Sequence, residues 1–170
     1  MHADAVQALG KLPVDLDRLG LDLASFSAHK IQGPKGVGAL YVRRGLEIEA
    51  LLTGGGQERG LRSGTENVAG VVGFGAACLV AERRLNQGAV TRVAALRDRL
   101  EQGVLARIPG SRVNGSLGER VPNTSSVTLP GIRGESLVLA LDRHGICLSS
   151  GSACKSGSPE PSHVLLALGL

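Results

Sequence analysis

The run Leu21-Asp22-Leu23-Ala24-Ser25-Phe26-Ser27-Ala28-His29-Lys30 decides the fold, together with the adjoining Gly33-Pro34-Lys35-Gly36-Val37-Gly38 and Ala39-Leu40-Tyr41-Val42. Residues 21–26 read as a strand ending near Ser27. The glycine-rich stretch makes a turn, and Ala39–Val42 is a β-rich run closed by Arg43-Arg44-Gly45. Two strands joined this closely imply a hairpin or two neighbouring edge strands. An apolar strand that ends on Ser, His and Lys just before a glycine turn sits where ligands collect in α/β proteins.

Upstream, Asp15–Leu23 is a short amphipathic stretch, and His2-Ala3-Asp4-Ala5-Val6-Gln7 reads as the exit of a buried strand. A chain that opens this way is expected to begin inside a fold. Downstream, residues 54–64 hold five glycines in eleven positions, so they form a long functional loop and not a helix. Helices are expected over about Glu66–Arg84, with apolar positions Val68, Val71, Val72, Gly75 and Leu79, and over about Val90–Ile108. The second places Val93, Leu96, Leu100, Val104 and Leu105 on one face and ends at Pro109-Gly110. Short strands come next at Val113–Gly115, Ser125–Leu129 and Ile146–Leu148, with a helix at Glu135–His144 that turns Leu137, Val138 and Leu141 inward. A last helix starts near Pro161 and stops uncapped, as a truncated end would. The change of pattern near Gly110 divides the chain into residues 1–110 and 111–170.

The composition excludes several classes. The 170 residues are 42% hydrophobic and 20% charged, as in a globular protein of one domain, or one domain with a smaller lobe. Aromatic residues make up only 2%, so either the core is built from Leu, Val and Ala, or aromatic-bearing segments lie elsewhere. The net charge is +4. The basic cluster Arg83, Arg84, Arg92, Arg97 and Arg99 alternates with Glu82, Asp98 and Glu101, the pattern of a solvated helix face. With no stacking platform beside it, no nucleic-acid partner is expected. Three cysteines without a CxxC pair argue against a disulfide framework or a zinc site and point to a reducing, cytoplasmic setting. No signal peptide opens the chain, and no apolar run reaches the roughly 18 residues of a membrane span.

Three groups of residues could carry chemistry. Lys30, flanked by an apolar strand, can be partly desolvated, which favours the neutral amine that bonds an aldehyde cofactor; Ser27 and His29 are suitable phosphate donors. Lys35, in the glycine turn, shares the segment, and spacing does not separate the two lysines. Asp4 at a strand end could pair with a protonated pyridine nitrogen, with Gln7 donating to a ring oxygen, or Asp4 could cap a helix. Cys154 lies in Ser149-Ser150-Gly151-Ser152-Ala153-Cys154-Lys155-Ser156-Gly157-Ser158-Pro159, where small polar neighbours favour an exposed thiol and Lys155 favours its thiolate. Cys147, in an apolar run, and Cys78, on an apolar helix face, read as core. Residues 33–38 lack the Lys-Ser/Thr ending of a P-loop and do not match the dinucleotide fingerprint.

Together these residues resemble the cysteine desulfurases of iron–sulfur cluster assembly, class-V aminotransferases among the fold-type I pyridoxal-phosphate enzymes. The matching segments are HADAVQALGKLPVDL, SFSAHKIQGPKGVGALYVRR, GGGQERGLRSGTENV and SSGSACKSGSPEPSHVLLALGL, in the family's order. The resemblance implies an α/β fold: part of the large domain's mixed sheet with helices over residues 1–110, and part of a small α+β lobe carrying the cysteine loop over 111–170. It implies pyridoxal 5'-phosphate as cofactor, held covalently by Lys30, with Asp4 at the pyridine nitrogen and Gln7 at the ring oxygen. Ser27 and His29 match phosphate contacts, and Thr65 matches a phosphate contact made across a homodimer. Cys154 matches the cysteine that takes sulfur from L-cysteine, leaving L-alanine, and passes it to an iron–sulfur scaffold or other acceptor. Within the same family a selenocysteine lyase is the alternative, although the long Ser149–Pro159 loop speaks against it; outside it stand a non-catalytic sulfur carrier and a truncated product. The family's amino-terminal half and its last helices have no counterpart here, so this polypeptide alone is expected to be inactive.

Overall fold

The computed structural model describes residues 1–151 and 162–170. They form two compact units, residues 1–93 and 94–170, the division falling within a helix.

The first unit is built on a three-stranded sheet of β1 (His2–Asp4), β2 (Leu23–Ser27) and β3 (Gly38–Val42), in the order β1-β2-β3. β2 runs parallel to β1 and antiparallel to β3. The closely joined strands are therefore neighbours, as the sequence implies, although β2 is central. Between them Ala28–Ile31 forms one 3-10 turn. The expected buried exit of β1 is found only in part: Ala5 is buried, whereas His2 and Asp4 are exposed, and among the described residues β1 pairs with β2 alone. Residues 54–64 form a loop broken by a single 3-10 turn at Glu58–Gly60 and closed by the bridge Leu52–Arg62.

Helix α1 (Val68–Asn86) covers the 3-10 turn. Its buried positions Gly70, Phe74, Ala77 and Ala81 recur at helical spacing, and the last three pack with Ala28 and Ile31, flanked by Leu9, Phe26, Val37 and Cys78. This stripe differs from the valines and leucine that define the apolar pattern; Val68, Val71, Val72 and Leu79 are exposed. The reason is steric. A Cβ on Gly73 would fall 2.5 Å from Pro34 Cγ, and one on Gly33 would stand 3.1 Å from the Ala77 Cβ, so at these two points only small residues let the helix approach, while Phe74 fills the space between.

The second unit holds most of α2 (Ala89–Arg107), the antiparallel pair β4 (Arg112–Val113) and β5 (Val127–Thr128), α3 (Gly134–Asp142) and α4 (His163–Ala167). The expected strand at Ile146–Leu148 is not formed; the Ile146 N–H donates to the Leu141 carbonyl instead, and Cys147 is exposed. In α3, Leu137, Val138 and Leu141 are the half-buried side chains, the face the sequence turns inward. In α2 the expected solvated residues Arg92 and Arg99 are exposed, and Val93 and Val104 of the expected apolar face are half-buried, but Arg97, Asp98 and Glu101 turn inward. Glu101 is buried, and its carboxylate receives two hydrogen bonds from Arg120, while Arg97 binds Asp98 and the Val121 carbonyl; Leu96 and Leu100 are exposed.

Candidate active site

In the parallel pairing of β1 and β2, Asp4 stands opposite Ser25. The carboxyl ends of both strands thus lie at the same end of the sheet. There Asp4–Gln7 and Ser27–Lys30 emerge side by side.

Asp4 is fixed by a local turn. Its Oδ1 accepts the Val6 backbone N–H at 3.0 Å, while the Ala5 N–H donates to the Ser25 carbonyl. The chain then winds through Ala5–Leu12 in short turns that carry Gln7. Opposite, Ser27 keeps an extended backbone and the Ala28 N–H donates to the Val37 carbonyl, so the 3-10 turn starts against β3. Ser27 Oγ and His29 Nδ1 lie 2.7 Å apart in a hydrogen bond. Ala28 and Ile31 anchor the turn in the core, which leaves Lys30 half-buried between them. Gln32 ends it in the left-handed conformation, its side-chain oxygen accepting from Arg84 of α1 at 2.9 Å. Lys35, by contrast, is exposed.

Lys11 is a member that sequence reasoning missed. Its ammonium donates to Gln7 Oε1 at 2.5 Å. Burial first, and then the charge of Lys30, hold its pKa below the ordinary lysine value. The four-residue spacing from Gln7 was the available signal.

Thr65 is exposed in the lead into α1, and among the described residues no hydrogen bond ties it to the Ser27–Lys30 turn. The loop before it is braced by Gln57, whose Oε1 accepts the Gly64 N–H at 3.1 Å, and contains two non-glycine residues, Glu58 and Arg59, at positive φ. Left-handed backbone at such residues is costly and is held by its surroundings. Cys154 lies outside the described residues. Among those described, no cluster of three or more His, Cys, Asp or Glu could hold a metal, and no helix is long and apolar enough to cross a membrane.

A family model described as Aminotransferase class-V matches residues 1–169, and the chain belongs to that family. It is 53% identical over 169 residues to the cysteine desulfurase of Nostoc sp., covering 99% of this chain and 42% of that protein. The chain thus spans about two fifths of the length of the curated relatives it matches. Its fold superposes on a solved NifS-like protein with a TM-score of 0.84 at 45% identity, covering 99% of this chain and 42% of the other. The solved structure of SspA in complex with cysteine matches with a TM-score of 0.67 at 34% identity, covering 99% and 46%.

Proposed function

We propose that these residues form part of the active site of a pyridoxal-phosphate-dependent cysteine desulfurase. In this reading L-cysteine is converted to L-alanine and a persulfide on Cys154, whose outer sulfur passes to an iron–sulfur scaffold or another acceptor protein. The enzyme acts as a cytoplasmic homodimer, with residues 1–110 in the cofactor-binding large domain and 111–170 in the small one. The observation that carries the reading is the parallel register of Asp4 with Ser25, which puts a carboxylate, an amide, a hydroxyl, an imidazole and a half-buried amine at one end of the sheet.

That donor set fits the cofactor chemically. Lys30 offers a primary amine to the aldehyde, Asp4 an acceptor for the protonated pyridine nitrogen, and Gln7 a donor for the ring oxygen. Ser27 and His29 share a hydrogen bond that uses one proton, so with a neutral imidazole the pair offers the phosphate either the His29 Nε2–H or the Ser27 hydroxyl, according to the tautomer; Thr65 is assigned to the phosphate in the partner subunit. When bound, pyridoxal phosphate supplies an electron sink for the bonds of an amino-acid substrate. The Lys30 amine, once displaced by the substrate's own amine, is the base placed to carry the substrate proton. The Cys154 thiolate attacks the sulfur of L-cysteine; the carbon–sulfur bond breaks, its electron pair and a proton stay with the three-carbon product as alanine, and the sulfur remains on Cys154.

The test uses the intact protein. Bound cofactor should give a visible absorbance band that Lys30→Ala abolishes along with alanine release from L-cysteine. Cys154→Ser should keep the band and lose the persulfide found by mass spectrometry. A band unaffected by Lys30→Ala would overturn the assignment.

A further inference from the structure

Lys11 is not an ordinary surface lysine. The turns through Ala5–Leu12 place it one helical step beyond Gln7, so the two side chains meet. The preceding residue, Gly10, has φ +70° and is wedged against the core: a Cβ there would stand 2.9 Å from Ile31 Cγ2 and 3.0 Å from the Ala81 Cβ. The backbone of Lys11 is thereby anchored to the packing that seats the Lys30 turn. Among the described residues Lys11 makes no ion pair. Its ammonium is spent on a neutral amide while burial and the Lys30 charge both oppose it.

An ammonium has three donors and no acceptor, so the Gln7 atom it touches must be the amide oxygen. The NH2 group is then turned to the opposite side. A glutamine free to flip would present oxygen half the time, and an amide oxygen repels an anionic ring oxygen. We propose that Lys11 is a positioning residue that locks the Gln7 amide with its oxygen on the ammonium, so that Gln7 meets the cofactor's ring oxygen only as a donor. This rests on the reading of Gln7 as a cofactor contact and extends it to a residue that touches no cofactor atom.

Pyridoxal-phosphate affinity, measured by absorbance titration of the intact protein, tests it. Lys11→Met should weaken binding about twofold, the factor by which a freely flipping amide dilutes the donor orientation, and Lys11→Arg should restore the wild-type affinity. Lys11→Met should cost nothing further in a Gln7→Ala background, as for two residues acting through one contact. Melting temperatures should stay level across the set, which a merely structural role would not allow. Gln7→Glu keeps an acceptor for Lys11 and removes the donor, so it should bind at least as weakly as Gln7→Ala even if Lys11→Met fails to fold. Wild-type affinity in Lys11→Met or Gln7→Glu, or losses that multiply in the double variant, would overturn the inference while leaving a Lys30-dependent band intact. A wild-type protein that takes up no cofactor would instead remove the functional reading, and the inference with it.

Discussion

Gly38 faces the Phe26 carbonyl so closely that a Cβ on it would fall 2.6 Å from that oxygen. Gly38 is paired with Ser27, at the point where β2 becomes the 3-10 turn that carries His29 and Lys30. A backbone oxygen cannot rotate away as a side chain can, so Gly38→Ala must push β3 off β2 beside the site. The expected cost is about 1–3 kcal/mol in urea unfolding, with weaker cofactor retention. Gly36→Ala serves as the control. Gly36 has a positive φ, +76°, but nothing lies within 4 Å of its Cβ position, so only backbone strain of about 1 kcal/mol is expected, with cofactor binding unchanged. Equal effects at the two glycines would refute the close-approach argument.

The paired guanidinium of Arg120 makes Glu101 acid-sensitive. Hydrogen bonds of 3.0 and 2.6 Å from Nη1 and Nη2 hold the Glu101 carboxyl below the usual glutamate range, against an opposing effect of burial. Because the folded-state pKa is depressed, the stability it contributes is fully present above the unfolded pKa and is lost as pH falls through the folded one. Glu101→Gln should therefore cost about 1–3 kcal/mol at neutral pH, and the gap from wild type should close as pH drops below about 4. Urea unfolding at a series of pH values measures this. A gap that does not change with pH would mean that the charge of Glu101 is irrelevant.

The sheet and the site segments were legible because strong local signals mark them. An apolar run, polar residues at its end and a glycine turn identify β2, the Lys30 segment and β3 without any tertiary knowledge. The buried faces of α1 and α2 were not legible. Helix α1 is apolar almost all round, so periodicity does not choose a face. The choice was made where Pro34 meets Gly73, Gly33 meets Ala77 and Gly10 meets Ala81, close contacts that admit alanine but not a valine. In α2 charged residues join Val93 and Val104 on the inward side, and Glu101 is buried there because Arg120, 19 positions beyond it, arrives from a loop to neutralise it. A pattern of single residues carries no trace of such a distant partner. Lys11 was missed for a related reason: its spacing from Gln7 was visible, but its burial was not.

Helix α1 opens on Asn67, whose Oδ1 accepts the Gly70 N–H at 3.0 Å, satisfying one of the unpaired donors of the first turn. Asn67→Ala should lower stability by about 1 kcal/mol, and Asn67→Asp, which keeps the acceptor, should restore most of it. Thermal melts of the two variants decide the matter. If alanine and aspartate behave alike, the cap contributes nothing.

The two described cysteines differ in environment, and their reactivity should differ accordingly. Cys78, on α1, packs against the core, and burial pushes its thiol pKa up, so it is protonated and shielded at neutral pH. Cys147 is exposed. Nucleophilic attack requires both the thiolate and access. Brief treatment with iodoacetamide at mildly alkaline pH, then peptide mass spectrometry, should show Cys147 labelled well before Cys78. Raising the pH alone should narrow the difference only in part, because access to Cys78 also depends on opening the contact between α1 and the Ala28–Ile31 turn. Denaturant should abolish the difference. Equal labelling of both cysteines in the native protein would mean that the packing of α1 over that turn is not maintained in solution, and the seat of Lys30 would lose its support.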